Sequence, residues 1–360
     1  MNVGIIMFQN MRYAPYLKLY ERILSQEDVP YEIIYFNRDE NLHEENDDKH
    51  IPIKWYGKGT LAAPKHEKLL NFFMYRMNLL SLLKRKQFTH LIILTTFPAV
   101  LISNYLEKQY KNKYVVDIRD YTQEHNATYY AMESRAIRNS AFTIISSSGF
   151  THFLPKFDYI MCHNVSQDAY LIKCAPLSKA TNRRIIISYI GTISYEKQCL
   201  ELISLVEDDE RFEFHFYGNE ANGNTISSYI KKRGNMRIKM MGAFMPDQKA
   251  QIYADSDIIF NCYGNDSNLV RFAISNKYYD GALYGKPLIV TPDTSMSQES
   301  GSFAYPLDLG RIDSLDGLFQ WYHALNAEDF GKYAQNVIDH SILENVNMER
   351  NVVKFIRNQL

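Results

Sequence analysis

Residues 185–197 read IIISYIGTISYEK. An apolar, β-branched run ends at Ile190, Gly191 opens a turn, and a helical pattern begins near Glu196. A short, fully apolar strand that turns through a glycine into a helix is the unit of a parallel sheet covered on both faces. Backbone N–H groups at such a junction form an anion site, and Lys197 in the first helical turn adds a cation. A lysine there opposes the helix dipole, so a bound anion would account for it; a solvent-facing lysine is the plain alternative.

The same rhythm runs outward in both directions. Downstream, strands are expected at Phe212–Tyr217, Ile238–Met241, Asp257–Asn261 and Pro287–Thr291. Upstream they are expected at Val3–Phe8, Tyr31–Phe36, Ile51–Tyr56, His90–Thr95, Tyr114–Ile118, Phe142–Ser146 and Tyr159–Cys162. Amphipathic stretches at Tyr16–Ser25, Lys65–Lys86, Ala99–Lys108 and Ala127–Asn139 separate most of them. The alternation predicts an α/β protein of two Rossmann-like, doubly wound domains facing a cleft, with ligands at the carboxyl ends of the strands. The polar linker Ala175–Arg184 sets the expected domains at 1–175 and 185–335. The helical stretch 336–360 is expected to pack back on the first domain.

Composition agrees. The 360 residues are 46% hydrophobic and 22% charged, ordinary globular material too long for one core. With 40 Lys+Arg against 41 Asp+Glu there is no basic excess, so no nucleic-acid partner is expected. The first 180 residues nonetheless carry a small positive surplus and the remainder a small negative one. The start MNVGIIMF lacks a basic n-region and reads as a strand, and no apolar run is long enough to span a membrane. Cys162, Cys174, Cys199 and Cys262 show no CxxC spacing, which points to reduced thiols in a cytoplasm and to no metal site. The acidic run Asp39–Asp48 is expected as a solvated loop. Lys65–Lys86 has a wide apolar face with basic residues at both ends. It reads as a crossover helix or as a peripheral contact with the inner face of a membrane. Tyrosine is abundant at 27 residues, suiting walls that meet polar ligands as well as half-buried sheet positions.

No GxGxxG, GxxxxGK[ST], HExxH or GxSxG occurs, which weakens dehydrogenase, P-loop kinase, metalloprotease and hydrolase readings. Further candidates sit at strand ends. Gly218 in FYGN permits close backbone approach. Phe244 and Met245 in MGAFMP are placed to frame a flat base. In Arg271–Val290, RFAISNKYYDGALYGKPLIV, Asn276 is expected to cap a helix that Gly285 and Pro287 end. Lys277 and Asp280 share its face, and a carboxylate there suits the hydroxyls of a ribose.

The run Ser275–Pro287 resembles the P-x-K-x-x-E-x-x-x-x-G-K-P hallmark of retaining GT-B glycosyltransferases of family 4, the bacterial capsular and exopolysaccharide type. Gly191–Lys197 is similar to that family's G-R-x-x-x-K phosphate turn. Ala250–Asn261 is similar to its helix and A-D-I strand, and Tyr114–Tyr121 to a D-I-R-D segment. Ala141–Ser147 with His163-Asn164 resembles the stretch before its linker. The resemblance implies transfer of a sugar from a nucleotide-diphosphate sugar, UDP- or GDP-linked, to a glycan or lipid-linked oligosaccharide in surface polysaccharide biosynthesis. It implies retention, no metal and no cofactor beyond the donor. Carried over, Asp280 holds the ribose, Lys197 the pyrophosphate, Gly191 offers backbone donors, and Phe244 and Met245 lie near the base. Asp120, with Arg119, is the implied catalytic or acceptor group, and Tyr13, Tyr16 and His125 fall on the acceptor side. Thr192 replaces the family's Arg, Phe272 its first Glu, and Asp280 is a methylene shorter than its second Glu; Arg271 is a candidate replacement cation. These departures keep two alternatives open: a nucleotide- or glycan-binding scaffold, and a sugar-nucleotide epimerase.

Overall fold

A computed structural model describes residues 1–38, 48–56, 64–311 and 314–358. The acidic run expected as a loop lies outside them apart from Asp48. The chain divides into two compact units, Met1–Cys162 with Glu344–Leu360, and His163–Leu343. The first unit thus closes at Cys162, earlier than the expected 175.

The first unit runs β1 (Val3–Met7), α1 (Leu17–Gln26), β2 (Tyr31–Asn37), β3 (His50–Lys54), α2 (Lys65–Lys86), β4 (His90–Leu94), α3 (Thr96–Leu101), α4 (Ser103–Gln109), β5 (Tyr114–Ile118), α5 (Ala127–Asn139), β6 (Phe142–Ile145) and β7 (Tyr159–Met161). Its seven strands lie in the order β3-β2-β1-β4-β5-β6-β7, each pair parallel. Strands β1, β4 and β5 are buried along their whole length, as continuous apolar runs demand of a sheet covered on both faces. The stretch expected as one helix over Ala99–Lys108 is two, interrupted at Ile102, which leaves helical geometry.

The second unit runs β8 (Ile185–Ile190), α6 (Glu196–Glu207), β9 (Phe212–Tyr217), α7 (Thr225–Arg233), β10 (Ile238–Gly242), α8 (Lys249–Ala254), β11 (Ile258–Asn261), α9 (Asn268–Phe272), α10 (Asn276–Leu283), β12 (Leu288–Val290), α11 (Ser295–Ser300), β13 (Ala304–Pro306) and α12 (Ser314–Ala324). Its six parallel strands follow the order β10-β9-β8-β11-β12-β13. A last helix, α13 (Ala327–Ile356), closes the chain; its Met348, Val352, Phe355 and Ile356 bury against Val3, Ile5 and Leu24 of the first unit's core. Among the described residues no helix is long and apolar enough to cross a membrane.

Both sheets reverse strand order at one place, between β1 and β4 and between β8 and β11. Loops diverge there at the carboxyl ends, leaving a crevice where ligands of such sheets bind.

Candidate functional site

At the carboxyl ends of β8, β9 and β10 the loops lie edge to edge. Gly191 N–H donates to Tyr217 O at 2.8 Å, and Gly218 N–H donates to Gly242 O at 2.7 Å. Gly191 and Gly218 have φ of +113° and +141°, conformations side chains disfavour. A Cβ on Gly218 would fall 2.0 Å from Gly191 O, so glycine is required for this close approach. Ile193 N–H then donates to Asn219 O at 2.9 Å, carrying the turn to the start of α6.

The helix N-termini in this unit differ. At α7 the Glu220 carboxylate accepts from Ile226 N–H at 2.8 Å and Ser227 N–H at 3.0 Å, so that end already holds an anion. At α6 and α10 no side chain caps the first turn. Their N–H groups and helix dipoles are therefore open to a ligand anion. Ser275, not Asn276, is the N-cap residue of α10; its hydroxyl is drawn away to Asn261 Oδ1 at 2.8 Å, and Asn276 is the exposed first helical residue.

Lys277, one residue on, reaches back to the β8/β11 crevice. Its Nζ donates to Tyr263 OH at 2.7 Å and lies 4.7 Å from the Tyr189 ring centroid and 5.1 Å from that of Tyr263. Tyr195 stacks on Tyr263 with centroids 4.1 Å apart at 16°. Tyr189 OH donates to Thr192 O at 2.9 Å. Two phenol rings, Tyr189 and Tyr263, thus flank the Lys277 ammonium beside the turn whose expected arginine is Thr192, and Tyr195 backs Tyr263 by stacking. Sequence reasoning missed Tyr189 as part of this cage, although its place one residue before the strand end was a usable signal.

Other candidates are placed differently. Lys197 is 80% exposed and only loosely paired with Glu201, at 3.9 Å. Asp280 is 6% exposed; Lys249 Nζ lies 2.7 Å from its Oδ1, and Tyr253 OH donates to Oδ2 at 3.3 Å. Burial raises its carboxyl pKa while Lys249 opposes the rise. Lys249 and Tyr253 escaped the sequence reading, since nothing local ties them to a residue on another helix. Phe244 is half-buried against the core beneath α10 and Met245 is exposed, its N–H donating to Gln248 Oε1 at 2.8 Å. Arg271 is exposed, its guanidinium 5.9 Å from the Phe272 ring centroid.

In the first unit, strand periodicity puts Asp117 and Arg119 on one side and Asp120 on the other. Arg119 is buried, with Nε 2.7 Å from Asp117 Oδ1 and Nη2 donating to Oδ2 at 2.8 Å. Its Nη1 donates to Cys162 O at 3.0 Å, and its guanidinium lies 5.1 Å from the Tyr16 ring centroid. Tyr20 OH donates to Asp117 Oδ2 at 2.7 Å. Arg119, expected to be catalytic, is thus committed to an internal ion pair; it positions the strand end from beneath and leaves Asp120 as the acid that reaches solvent. Crowding desolvates Asp120 and pushes its carboxyl up to about 6, against the pull of Arg119. Tyr16 is desolvated beside Asp117, which raises its phenol, while Tyr13 is exposed. His125 is exposed, with Nδ1 3.1 Å from Tyr121 OH.

No protein-family model and no curated protein matches the sequence. Solved structures do match the fold. The sucrose-phosphate synthase of Thermosynechococcus elongatus superposes with a TM-score of 0.69 at 10% identity, over 99% of this chain and 100% of that one. The lipopolysaccharide outer core galactosyltransferase WaaB superposes with 0.68 at 13% identity over 100% of both chains. HepE of Anabaena, solved with UDP and glucose, gives 0.64 at 12% identity over 97% of this chain and 98% of that one. With two parallel, doubly wound sheets and these neighbours along its whole length, the chain has the GT-B fold.

Proposed function

We propose that the protein is a glycosyltransferase that moves a sugar from a nucleotide-diphosphate sugar, UDP- or GDP-linked, to a glycan or lipid-linked acceptor. The observation that carries this reading is the Lys277 ammonium at the β8/β11 crevice, beside the two uncapped helix starts of α6 and α10. Breaking the bond from anomeric carbon to phosphate oxygen leaves both bonding electrons on the diphosphate, whose charge grows as the sugar becomes oxocarbenium-like. Fixed N–H dipoles and an oriented ammonium stabilise that charge without reorganising. They favour the transition state over the ground state, which is what accelerates the step. Asp280, held by Lys249 and Tyr253, is the ribose group in this reading, and Phe244 lies by the base.

Attack by the acceptor hydroxyl on the leaving-group face retains the anomeric configuration, with the hydroxyl proton passing to the departing phosphate oxygen. No metal is invoked, since the cations and dipoles are supplied by the chain. Asp120 serves the acceptor side in this reading, with His125 nearby in sequence and Tyr13 and Tyr16 assigned to the same side. Synthesis of a surface polysaccharide at the inner face of the membrane is the setting that suits a lipid-linked acceptor. The HepE structure, which holds UDP and glucose, supports the donor class.

Thermal melting with UDP, GDP, ADP and CMP tests this. A shift with UDP or GDP that Lys277→Met abolishes is expected, together with release of nucleoside diphosphate when donor and acceptor are combined. No shift with any nucleotide would leave a scaffold protein instead. Epimer formation from the sugar nucleotide without an acceptor would make the protein an epimerase.

A further inference from the structure

Helix α2 has one buried side and, opposite it, a second apolar side that is exposed. One side, Asn71, Tyr75, Leu79 and Leu83 at four-residue spacing, is buried in the first unit. The other carries Leu69, Leu70, Phe73 and Met77, which are 68%, 55%, 56% and 47% exposed. At about 100° per residue these four fall within a sector of roughly 100°, pointing away from the buried side. Single exposed apolar residues are ordinary, but four large ones in one stripe mark a contact surface.

The charge along the helix is predominantly positive. The helix has Lys65, Lys68, Arg76, Lys84, Arg85 and Lys86 against the single acid Glu67. Arg76 and Lys86 are used internally, Nε of Arg76 donating to Leu101 O at 2.8 Å and Lys86 pairing with Glu32 at 2.5 Å. Lys65, Lys84 and Arg85 are exposed, and Lys84 lies on the same sector as the stripe, at its C-terminal end. Beyond it a cleft carries Lys113 with Tyr105 and Tyr110, extending the cationic end.

We infer that this face of α2 lies flat on an anionic lipid bilayer, with Leu69, Leu70, Phe73 and Met77 in the boundary between headgroups and acyl chains and the basic ends against lipid phosphates. A 22-residue helix offers about 33 Å of length in the membrane plane. Here the protein itself covers the opposite side, so the exposed apolar stripe supplies the buried area and the basic residues at the helix ends supply the attraction to anionic lipid. A second copy of the chain fits less well, because it would bring the same positive rim against itself. The inference needs nothing from the nucleotide crevice, so it stands or falls separately from the transferase reading.

The test is sedimentation of the full chain with vesicles. Binding is expected to phosphatidylcholine vesicles containing phosphatidylglycerol and not to phosphatidylcholine alone, weakening as salt rises. The triple change Leu70→Gln, Phe73→Gln and Met77→Gln should cut binding by roughly tenfold or more, with circular dichroism and melting unchanged. The pair Lys84→Gln and Arg85→Gln should weaken it about fivefold per charge. Failure of the wild-type chain to bind anionic vesicles, or undiminished binding by the triple variant, would overturn the inference. Self-association that the triple variant abolishes, without vesicle binding, would assign the face to a second copy and overturn it too.

Discussion

Lys249 Nζ stands 2.7 Å from Asp280 Oδ1, tying the start of α8 to the middle of α10. The carboxylate is almost wholly enclosed, so burial alone would favour its neutral form, and the Lys249 ammonium is the main force against that. The pair fixes the orientation of the Asp280 carboxyl and favours its charged form, which is what the ribose role proposed for it requires.

Lys249→Met should therefore cost stability and raise the Asp280 pKa further. The loss should be on the order of 2 kcal/mol, less than the about 3–5 kcal/mol of a fully buried pair because Lys249 reaches solvent. In this variant the Asp280 contribution to stability is fully present at low pH, where the acid is protonated in both states, and is lost as pH rises through the raised folded pKa. Urea unfolding across pH measures both effects. Adding Asp280→Asn should remove the pH slope; a slope that persists would place its source elsewhere.

The glycines of the second unit are not equivalent. Gly218→Ala meets Gly191 O at 2.0 Å in a backbone region that alanine avoids, whereas Gly223, at φ +67°, has nothing within 4 Å of a new Cβ. Gly218→Ala should destabilise by about 3 kcal/mol or more and disturb nucleotide binding, since the loops after β8 and β9 must separate. Gly223→Ala should cost about 1 kcal/mol and leave binding unchanged. Equal costs in urea melts would mean the loops move apart freely.

Glu133 on α5 is wholly buried, and burial together with the neighbouring Glu124 pushes its carboxyl from 4.5 up to about 9. The folded chain holds that proton where the unfolded chain releases it. Its contribution to stability is therefore full below about 4.5 and declines as pH rises to about 9. Glu133→Gln, which cannot ionise, should flatten the decline. Melting temperature against pH for the two proteins decides it, and parallel curves would show that Glu133 does not set the slope.

Much of this architecture is legible in the sequence, for physical reasons. The runs Tyr114–Ile118, Ile185–Ile190 and Phe212–Tyr217 coincide with strands because a parallel sheet buries both faces and selects runs dominated by β-branched and aromatic residues, with only single polar positions between them. Strand β13 escaped notice because Ala304–Pro306 is three residues long and ends in proline, an edge strand with almost no pattern. The site is less legible. The Lys277–Tyr263 and Lys249–Asp280 bonds span 14 and 31 positions between different elements, beyond any local rule. The Arg119–Asp117 pair was within reach, since period two puts both on one side of a strand end. The neighbouring Asp120 drew attention to Arg119 as chemistry when it is support.

That distinction between support and chemistry is itself testable. Arg119→Met would leave Asp117 buried without its cation, so it should cost about 3–5 kcal/mol, recovered in part by adding Asp117→Asn. Asp120→Asn removes a carboxylate that desolvation makes costly to charge in the folded chain, so at neutral pH it should leave stability unchanged or raise it, never lower it. Its effect belongs in the rate. With a carboxyl pushed up to about 6, the charged form, which in the proposed acceptor-side role would orient the attacking hydroxyl, grows in as pH rises through that value. The wild-type kcat/KM for nucleoside diphosphate release should climb through pH 6 and level above it. Asp120→Asn should lower the plateau and lose the climb. If the climb survives in that variant, another group owns it and Asp120 leaves the mechanism.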